Sequence, residues 1–263
     1  MNAHQVTSLT NPTVKAVRAL HLRKEREESG LFLAEGLKLI GEALDIGHTP
    51  TILMFGAQAR AQPFLQRVAA ATEKAGGAVI EVTHDILEKV SRRENPQMVV
   101  AVFPQRFGEL AALDPASSGC WVALQAVRDP GNLGTIVRTA DAAGCGGVIL
   151  IGDCCDPYSV EAVRATMGSI FALPLFKAGV AEFIAWRAAW PGSVVGTLLS
   201  ASVDHRSADY HRPTLILMGN EQAGLPPELA ATCDVNVKIP MRGRADSLNL
   251  AVATGIMIYA ATG

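Results

Sequence analysis

Apolar residues in the first third of the chain return at helical spacing over Pro12–Arg26, Gly36–Ile46 and Pro63–Lys74, and a short helix is expected from Asp85. Between these stretches, compact apolar runs at Thr51–Phe55, Ala78–Val82 and Met98–Phe103 read as strands. That alternation predicts a small α/β domain over residues 1–105. Periodicity is then lost from Phe103 to Gly119, where Pro, Asp, Ser and Gly collect, so residues 106–119 read as a linker. A second series opens with a strand at Trp121–Val127 and a helix from Asn132. It continues through strand Val148–Ile151, helix Val160–Met167, strand Leu173–Phe176 and a helix near Val180–Ala189. Strands Val194–Leu199, Thr214–Met218 and Val235–Ile239 follow, and an apolar helix over Leu248–Ala260 closes the chain. Strands separated by helical stretches predict a parallel sheet in this second domain, residues 120–263.

Composition supports a folded chain. Of 263 residues, 49% are hydrophobic and 18% charged, which argues for a packed core and against disorder. The net charge of −2 excludes binding to nucleic acid by bulk electrostatics, so any such contact must come from local clusters. One cluster is Lys15, Arg18, Arg23, Lys24 and Arg26 on the first helix; balanced by Glu25, Glu27 and Glu28, it reads equally as a solvated face. The five cysteines, Cys120, Cys145, Cys154, Cys155 and Cys233, have neither disulfide-framework nor zinc-ribbon spacing and read as idle thiols of a cytoplasmic protein. No metal is expected, and neither a signal core nor a membrane-length apolar run is present in the sequence.

Three turns carry the candidate chemistry. Each is pinned to the end of a strand-like run and followed by a helical pattern, the place where open α/β sheets put ligand sites. The first is VRDPGNLGTIVRTADAAG, Val127–Gly144, in which Pro and Gly make a turn and Asn132 is expected to cap a helix. Capping leaves Arg138 unexplained, on a helix whose other members look like core. The second, ILMGNEQAGLPPEL at Ile216–Leu229, runs an apolar strand into Gly219, Asn220 and Glu221, with Pro226 or Pro227 suited to a first helical turn. A carboxylate at a strand exit is expected to be paired. The third, IPMRGRADSLNLAVATGIMIYA at Ile239–Ala260, offers Asp246 or Ser247 as a cap for the last helix. GxGxxG opening a helix after a strand and GxxxxGK[ST] are both missing, which argues against a nicotinamide Rossmann enzyme and a P-loop NTPase.

In order and residue content these turns resemble the three motifs of the SpoU family, also called TrmH, of knotted RNA ribose methyltransferases in the SPOUT superfamily. SLTNPTVKAVRAL at Ser8–Leu20, FLAEGLKLIGEAL at Phe32–Leu44 and SRRENPQMVVAVF at Ser91–Phe103 resemble the L30e-like substrate-binding domain that precedes the catalytic domain in many of these enzymes. DPYSVEAVRATMGSIFALPLF at Asp156–Phe176 resembles a family segment often close to RNA.

The resemblance implies an α/β protein with a small L30e-like N-terminal domain and a parallel-sheet catalytic domain ending in a trefoil knot. It implies methyl transfer from S-adenosyl-L-methionine to a ribose 2′-hydroxyl of RNA, with ribosomal RNA favoured and transfer RNA the alternative; DNA and membranes are not expected partners. A non-catalytic RNA-binding or ribosome-assembly protein of the same fold is the competing class, and the intact motifs argue against it. Carried over residue by residue, Asn132, Arg138, Glu221, Ser247 and Asn249 become catalytic candidates, with Glu221 orienting Asn132 and Arg138. Met218, Gly219, Asn220, Ile239, Met241, Ser247 and Leu248 become cofactor candidates, Gly219 by letting the backbone approach the adenosine. Lys15, Arg18, Arg23, Lys24, Arg92, Arg93, Arg128 and Arg164 become RNA candidates, Arg164 reading equally as a surface helix residue. Leu250–Ala251 departs from the commoner Val-Ser of the third motif, which removes a hydroxyl from that turn. Family members dimerise through the catalytic domain, and helix Leu248–Ala260 is a candidate surface for it, though a place in the core explains it equally.

Overall fold

A computed structural model describes residues 3–263. The chain divides into two compact units, one running through Gln105 and adding Tyr158–Ala172, the other made of Arg106–Pro157 and Leu173–Gly263.

The first unit is built from β1 (His4–Val6), α1 (Pro12–Ala19), α2 (Arg23–Ser29), β2 (Leu31–Glu35), α3 (Leu37–Asp45), β3 (Ile52–Gly56), α4 (Pro63–Lys74), β4 (Ala78–Val82), α5 (His84–Ser91) and β5 (Val99–Pro104). Its sheet runs β1-β4-β3-β5-β2; β5 is antiparallel to both neighbours and the other pairs are parallel. Val14 and Val17 of α1 and Ile86, Leu87 and Val90 of α5 bury the amphipathic faces of those helices against Leu33, Met54, Ile80 and Val100 of the sheet.

The single basic helix expected over Pro12–Arg26 is two helices. The chain turns after Ala19, and Arg26 swings inward to donate from Nη1 to the Leu20 carbonyl at 2.7 Å, a carbonyl freed by the end of α1. Arg26 is therefore buried, and charge pattern alone misplaced it.

Along the second unit's part of the chain come β6 (Cys120–Gln125), α6 (Pro130–Ala142) and β7 (Val148–Ile151). The chain then enters α7 (Val160–Thr166) and α8 (Ser169–Ala172), which pack in the first unit. It returns as β8 (Leu175–Ala178), α9 (Val180–Arg187), β9 (Val194–Thr197), β10 (Val203–Asp204), β11 (Thr214–Met218), α10 (Pro227–Ala230), β12 (Val235–Lys238) and α11 (Leu250–Thr262). All seven strands are parallel, in the order β10-β12-β9-β11-β6-β7-β8. The order makes β6, β11, β9 and β12 neighbours in the interior of the sheet, so that their carboxyl ends lie side by side where the chain reverses its direction of strand addition. α11 packs against α6 and against β6 and β11.

Two boundaries differ from the sequence reading. Residues 106–119 hold two short 3-10 turns that bury Leu110 and Leu113 in the core of the second unit with Trp121 and Phe176, so the polar punctuation there marks turns in packed chain. Tyr158–Ala172 leaves the second unit's sheet altogether. Tyr158 and Phe171 stack on Phe32 at 4.6 and 5.7 Å between ring centres, and Phe171 lies edge-on to Phe103 at 4.7 Å.

Removing residues 1–105 would therefore strip an aromatic cluster of its partners. The same cluster sets a stability prediction: Phe171→Ala lowers unfolding free energy by about 3 kcal/mol, as deletion of a buried ring does. Urea denaturation followed by far-ultraviolet circular dichroism and by hydrogen exchange of the first unit checks it, and a change under ~1 kcal/mol would show that this contact is dispensable.

Candidate active site

The first turn leaves β6 through Ala126, whose φ of 47° lies in the left-handed region, and enters α6 with Asp129 as the cap. Asp129 Oδ1 accepts the Asn132 backbone N–H at 2.6 Å, and Pro130 takes the first helical position. The expected cap role thus falls to Asp129 rather than Asn132. Freed from capping, the Asn132 amide donates from Nδ2 to Glu221 Oε1 at 3.3 Å and accepts at Oδ1 from Asn249 Nδ2 at 2.9 Å.

Glu221 ties the first and second turns together. Its Oε2 accepts the Arg128 backbone N–H at 3.2 Å and its Oε1 the Asp129 N–H at 3.3 Å, so the carboxylate sits on the positive end of α6. It is exposed at the rim, and the pairing expected of it is met by these two backbone N–H groups and the Asn132 amide. Asn220 locks the same loop: Nδ2 donates to the Ala126 carbonyl at 2.7 Å, and Oδ1 accepts from the N–H groups of Gln222 and Ala223 at 2.9 and 3.2 Å. A Cβ on Gly219 would land on the Gly224 carbonyl carbon and the Leu225 nitrogen. Glycine is thus required there by the loop's own closure, whereas approach to a cofactor was the expected reason.

The third turn ends at Asn249, which caps α11 by accepting the Ala251 and Val252 N–H groups at 2.9 and 3.3 Å. Asp246 and Ser247 hydrogen-bond to each other at 3.2 Å instead. Asn249 was expected at the site, and its additional work as the cap follows from an Asn standing immediately before the first helical residue.

These turns enclose a cavity of about 600 Å³, within the usual range for small-molecule sites. Asn132, Met218, Gly219, Asn220, Glu221, Ile239, Met241, Ser247, Leu248 and Asn249 line it, so most candidate residues come together. Arg138 does not reach the cavity: six residues past Asn132 puts it about 9 Å along the helix and roughly 120° around it. It is exposed, with no hydrogen bond or ion pair to any described residue. Arg128 lies beside the first turn, paired with Asp153 at 2.8 Å in the open.

The sequence reading missed Thr197, Leu198, Leu199 and Ser200, which line the cavity from the end of β9. The signal was available, because an apolar strand running into TLLS ends beside the other three. Thr197 Oγ1 is buried without a partner in this wall. Among the described residues no group of three His, Cys, Asp or Glu could hold a metal ion, and no helix is long and apolar enough to cross a membrane.

Comparison with known proteins shows the family of the chain. The SpoU rRNA Methylase family matches residues 119–259, and the MRM3-like substrate binding domain matches residues 11–101. The chain belongs to the SpoU rRNA methylase family. It is accordingly an RNA 2′-O-methyltransferase that depends on S-adenosylmethionine.

Among its relatives, the 23S rRNA (guanosine(2553)-2′-O)-methyltransferase RlmP of Bacillus subtilis is 31% identical over 97% of this chain and 98% of its own. An AdoMet-bound rRNA methyltransferase from Sinorhizobium meliloti has a solved structure with a TM-score of 0.93 at 52% identity, covering 98% of this chain and 97% of that one. AviRb from Streptomyces viridochromogenes, a SpoU methyltransferase solved with AdoMet, gives 0.84 at 31% identity over 96% and 97%.

The cavity suits this cofactor. Leu198, Met218, Ile239 and Leu248 offer apolar contact, and the unpartnered Thr197 hydroxyl offers a buried hydrogen bond.

Beside the site, the Cys155 thiol is pushed up to about 12, first by burial and then by Cys154, Glu221 and other acidic neighbours. Cys155 is expected to alkylate far more slowly at neutral pH than an ordinary thiol, because only thiolate reacts. Mass spectrometry after timed iodoacetamide exposure checks this; labelling at model-thiol speed contradicts it. Asn249→Ser is expected to leave thermal stability nearly unchanged, since Ser caps as well as Asn, while turnover falls at least ~10-fold as Asn132 loses its partner. Wild-type turnover in a folded Asn249→Ser protein would remove the Asn132–Asn249 hydrogen bond from catalysis.

Proposed function

We propose that this enzyme methylates a ribose 2′-hydroxyl of large-subunit ribosomal RNA in the cytoplasm, with the cofactor in the cavity at the ends of β6, β9, β11 and β12. The observation carrying the proposal is the hydrogen-bonded chain from Asn249 through Asn132 to Glu221 along the rim of that cavity. Names of relatives favour ribosomal over transfer RNA.

In this reading, Met218, Gly219, Asn220, Ile239, Met241, Ser247 and Leu248 hold the cofactor together with Thr197. When bound, S-adenosylmethionine supplies a methyl group on a sulfonium centre. Glu221 fixes the start of α6 and turns the Asn132 amide so that its oxygen faces Asn249, which leaves both amides held without side-chain rotation. Holding the target hydroxyl in line is where such a site gains most of its rate, by prepaid orientation. Glu221 already accepts three donors, so its role is to orient rather than to take the proton. Arg138, exposed on α6 outside the cavity, is assigned to hold an RNA phosphate of the bound substrate; a guanidinium stays protonated under almost all conditions and serves better as a fixed charge than as a base.

We assign RNA recognition to the first unit, as an L30e-like domain, and a C-terminal trefoil knot to the second. Support for the knot is the course of the chain, which leaves β12 beyond β9 and returns to lay α11 against β6 and β11. A homodimer through the second unit is supported by α11, where exposed Val252 and Tyr259 flank the half-exposed Ile256 at helical spacing.

Mapping 2′-O-methyl groups in ribosomal RNA from cells with and without the protein tests the substrate. Loss of one ribosomal position is expected, and loss from transfer RNA alone would overturn it. Arg138→Ala is expected to keep cofactor affinity while lowering methyl transfer by at least ~10²-fold, through loss of the phosphate contact that orients the RNA. Near-wild-type turnover would dismiss Arg138 from the mechanism.

A further inference from the structure

The basic residues of the first unit are not equivalent. Arg23 bonds Glu27 at 2.7 Å and Lys24 lies 3.7 Å from Glu28, both pairs along α2, while Arg26 is buried on the Leu20 carbonyl. Arg164 is occupied too: its Nη2 donates to Glu35 Oε1 at 2.7 Å and to the Ser91 carbonyl at 3.0 Å. Glu35 is only 3% exposed, and its Oε2 and the Arg164 Nε are both buried without a partner.

Ser91 is the last residue of α5, and Arg164 therefore ties off a terminal carbonyl of that helix. The next residue, Arg92, has φ 55° and closes the helix with its N–H on the Glu88 carbonyl; Arg93 N–H reaches the same carbonyl at 3.3 Å. Left-handed backbone favours glycine, so an arginine at this position carries strain that glycine would relieve. Both guanidinium groups are exposed, with no hydrogen bond or ion pair to any described residue. The neighbouring His21 adds little charge: burial lowers its pKa, and its Nε2 is 2.7 Å from the Val90 carbonyl. Glu94 is the acidic residue of the same exposed turn, and the net excess is positive.

We infer that Arg92 and Arg93 form an RNA phosphodiester clamp, and that Arg164, with Glu35, is the positioning residue that holds the clamp's turn in place. This rests on the RNA methyltransferase reading and deepens it by naming which cations meet the RNA backbone. Arg164 belongs in sequence to the methylase module but packs in the first unit, so the clamp is completed by a segment supplied from beyond the linker region. The strained φ of Arg92 and the absence of any partner for its guanidinium among the described residues leave that charge without a role inside the fold.

The test uses the full-length protein and protein-free large-subunit ribosomal RNA as probe. Arg92→Gly is expected to melt at or above the parent temperature, since strain is relieved, yet to bind RNA at least ~5-fold more weakly with a salt slope shallower by about one. Methyl transfer should show the loss as a raised KM for RNA with kcat kept within ~2-fold, because the chemistry lies elsewhere. Arg92→Lys should recover most of the affinity. Arg164→Met should weaken RNA binding as well, and its effect should shrink when Arg92 is already glycine, the signature of two residues acting as one unit. Unaltered affinity and salt slope in Arg92→Gly would overturn the clamp, and strict additivity in the double variant would overturn the positioning role. If no variant or parent methylates RNA at all, the underlying functional reading fails instead, and the binding measurements still judge the clamp.

Discussion

The site depends on one carboxylate. Glu221 sits at the end of β11 and accepts from the backbone of Arg128 and Asp129 and from the Asn132 amide, all belonging to the turn after β6. Parallel pairing of β11 with β6, Met218 opposite Leu124, brings the two strand ends level. Without an acceptor there, the N–H groups that open α6 would face water and the first turn would be free to drift. Glu221 converts two adjacent loops into one rim, and Asn132 extends that rim to Asn249 and the third turn. Three segments far apart in sequence are thereby fixed by a short run of hydrogen bonds.

Much of this was legible in the residues. The strands Ala78–Val82, Val148–Ile151 and Thr214–Met218 lie where apolar runs put them, and the cavity gathers the candidates from all three turns. Capping was harder to read. Asp, Asn and Ser all serve as helix caps, and the choice of Asp129 over Asn132 and of Asn249 over Ser247 depends on where each chain leaves the sheet. Arg138 shows a similar limit. Its spacing from Asn132 allowed a long side chain to reach back, but helical rotation turns it elsewhere.

The boundary at residue 105 lies where the sequence put it, but the linker residues and Tyr158–Ala172 were assigned to the wrong place for a different reason. Local composition reports whether backbone is turn-like, while membership of a unit depends on what a segment buries. The Pro, Asp and Ser of residues 106–119 are real turn signals, yet Leu110 and Leu113 between them belong to the core. Conversely, Val160–Thr166 has the pattern of any amphipathic helix following a strand, and nothing in it announces that Val160 will join the core of the first unit and Arg164 its Glu35. The consequence is that the units share chain at three crossings, after Gln105, Pro157 and Ala172.

Stability and function also share residues here. Asn249 uses its oxygen at the start of α11 and its nitrogen on Asn132, so one side chain both begins a helix and holds an amide at the cavity rim. The departure from the commoner Val-Ser after it, Leu250–Ala251, leaves that division intact, because the cap uses the backbone N–H groups of Ala251 and Val252 rather than a hydroxyl. Gly219 imposes the opposite arrangement: it contributes no side chain, and the loop beside the cavity closes because nothing stands where a Cβ would be. A rim made from caps and loop closures is held in place by the same interactions that start its helices. The order of the cavity rim therefore comes from interactions that the fold already needs.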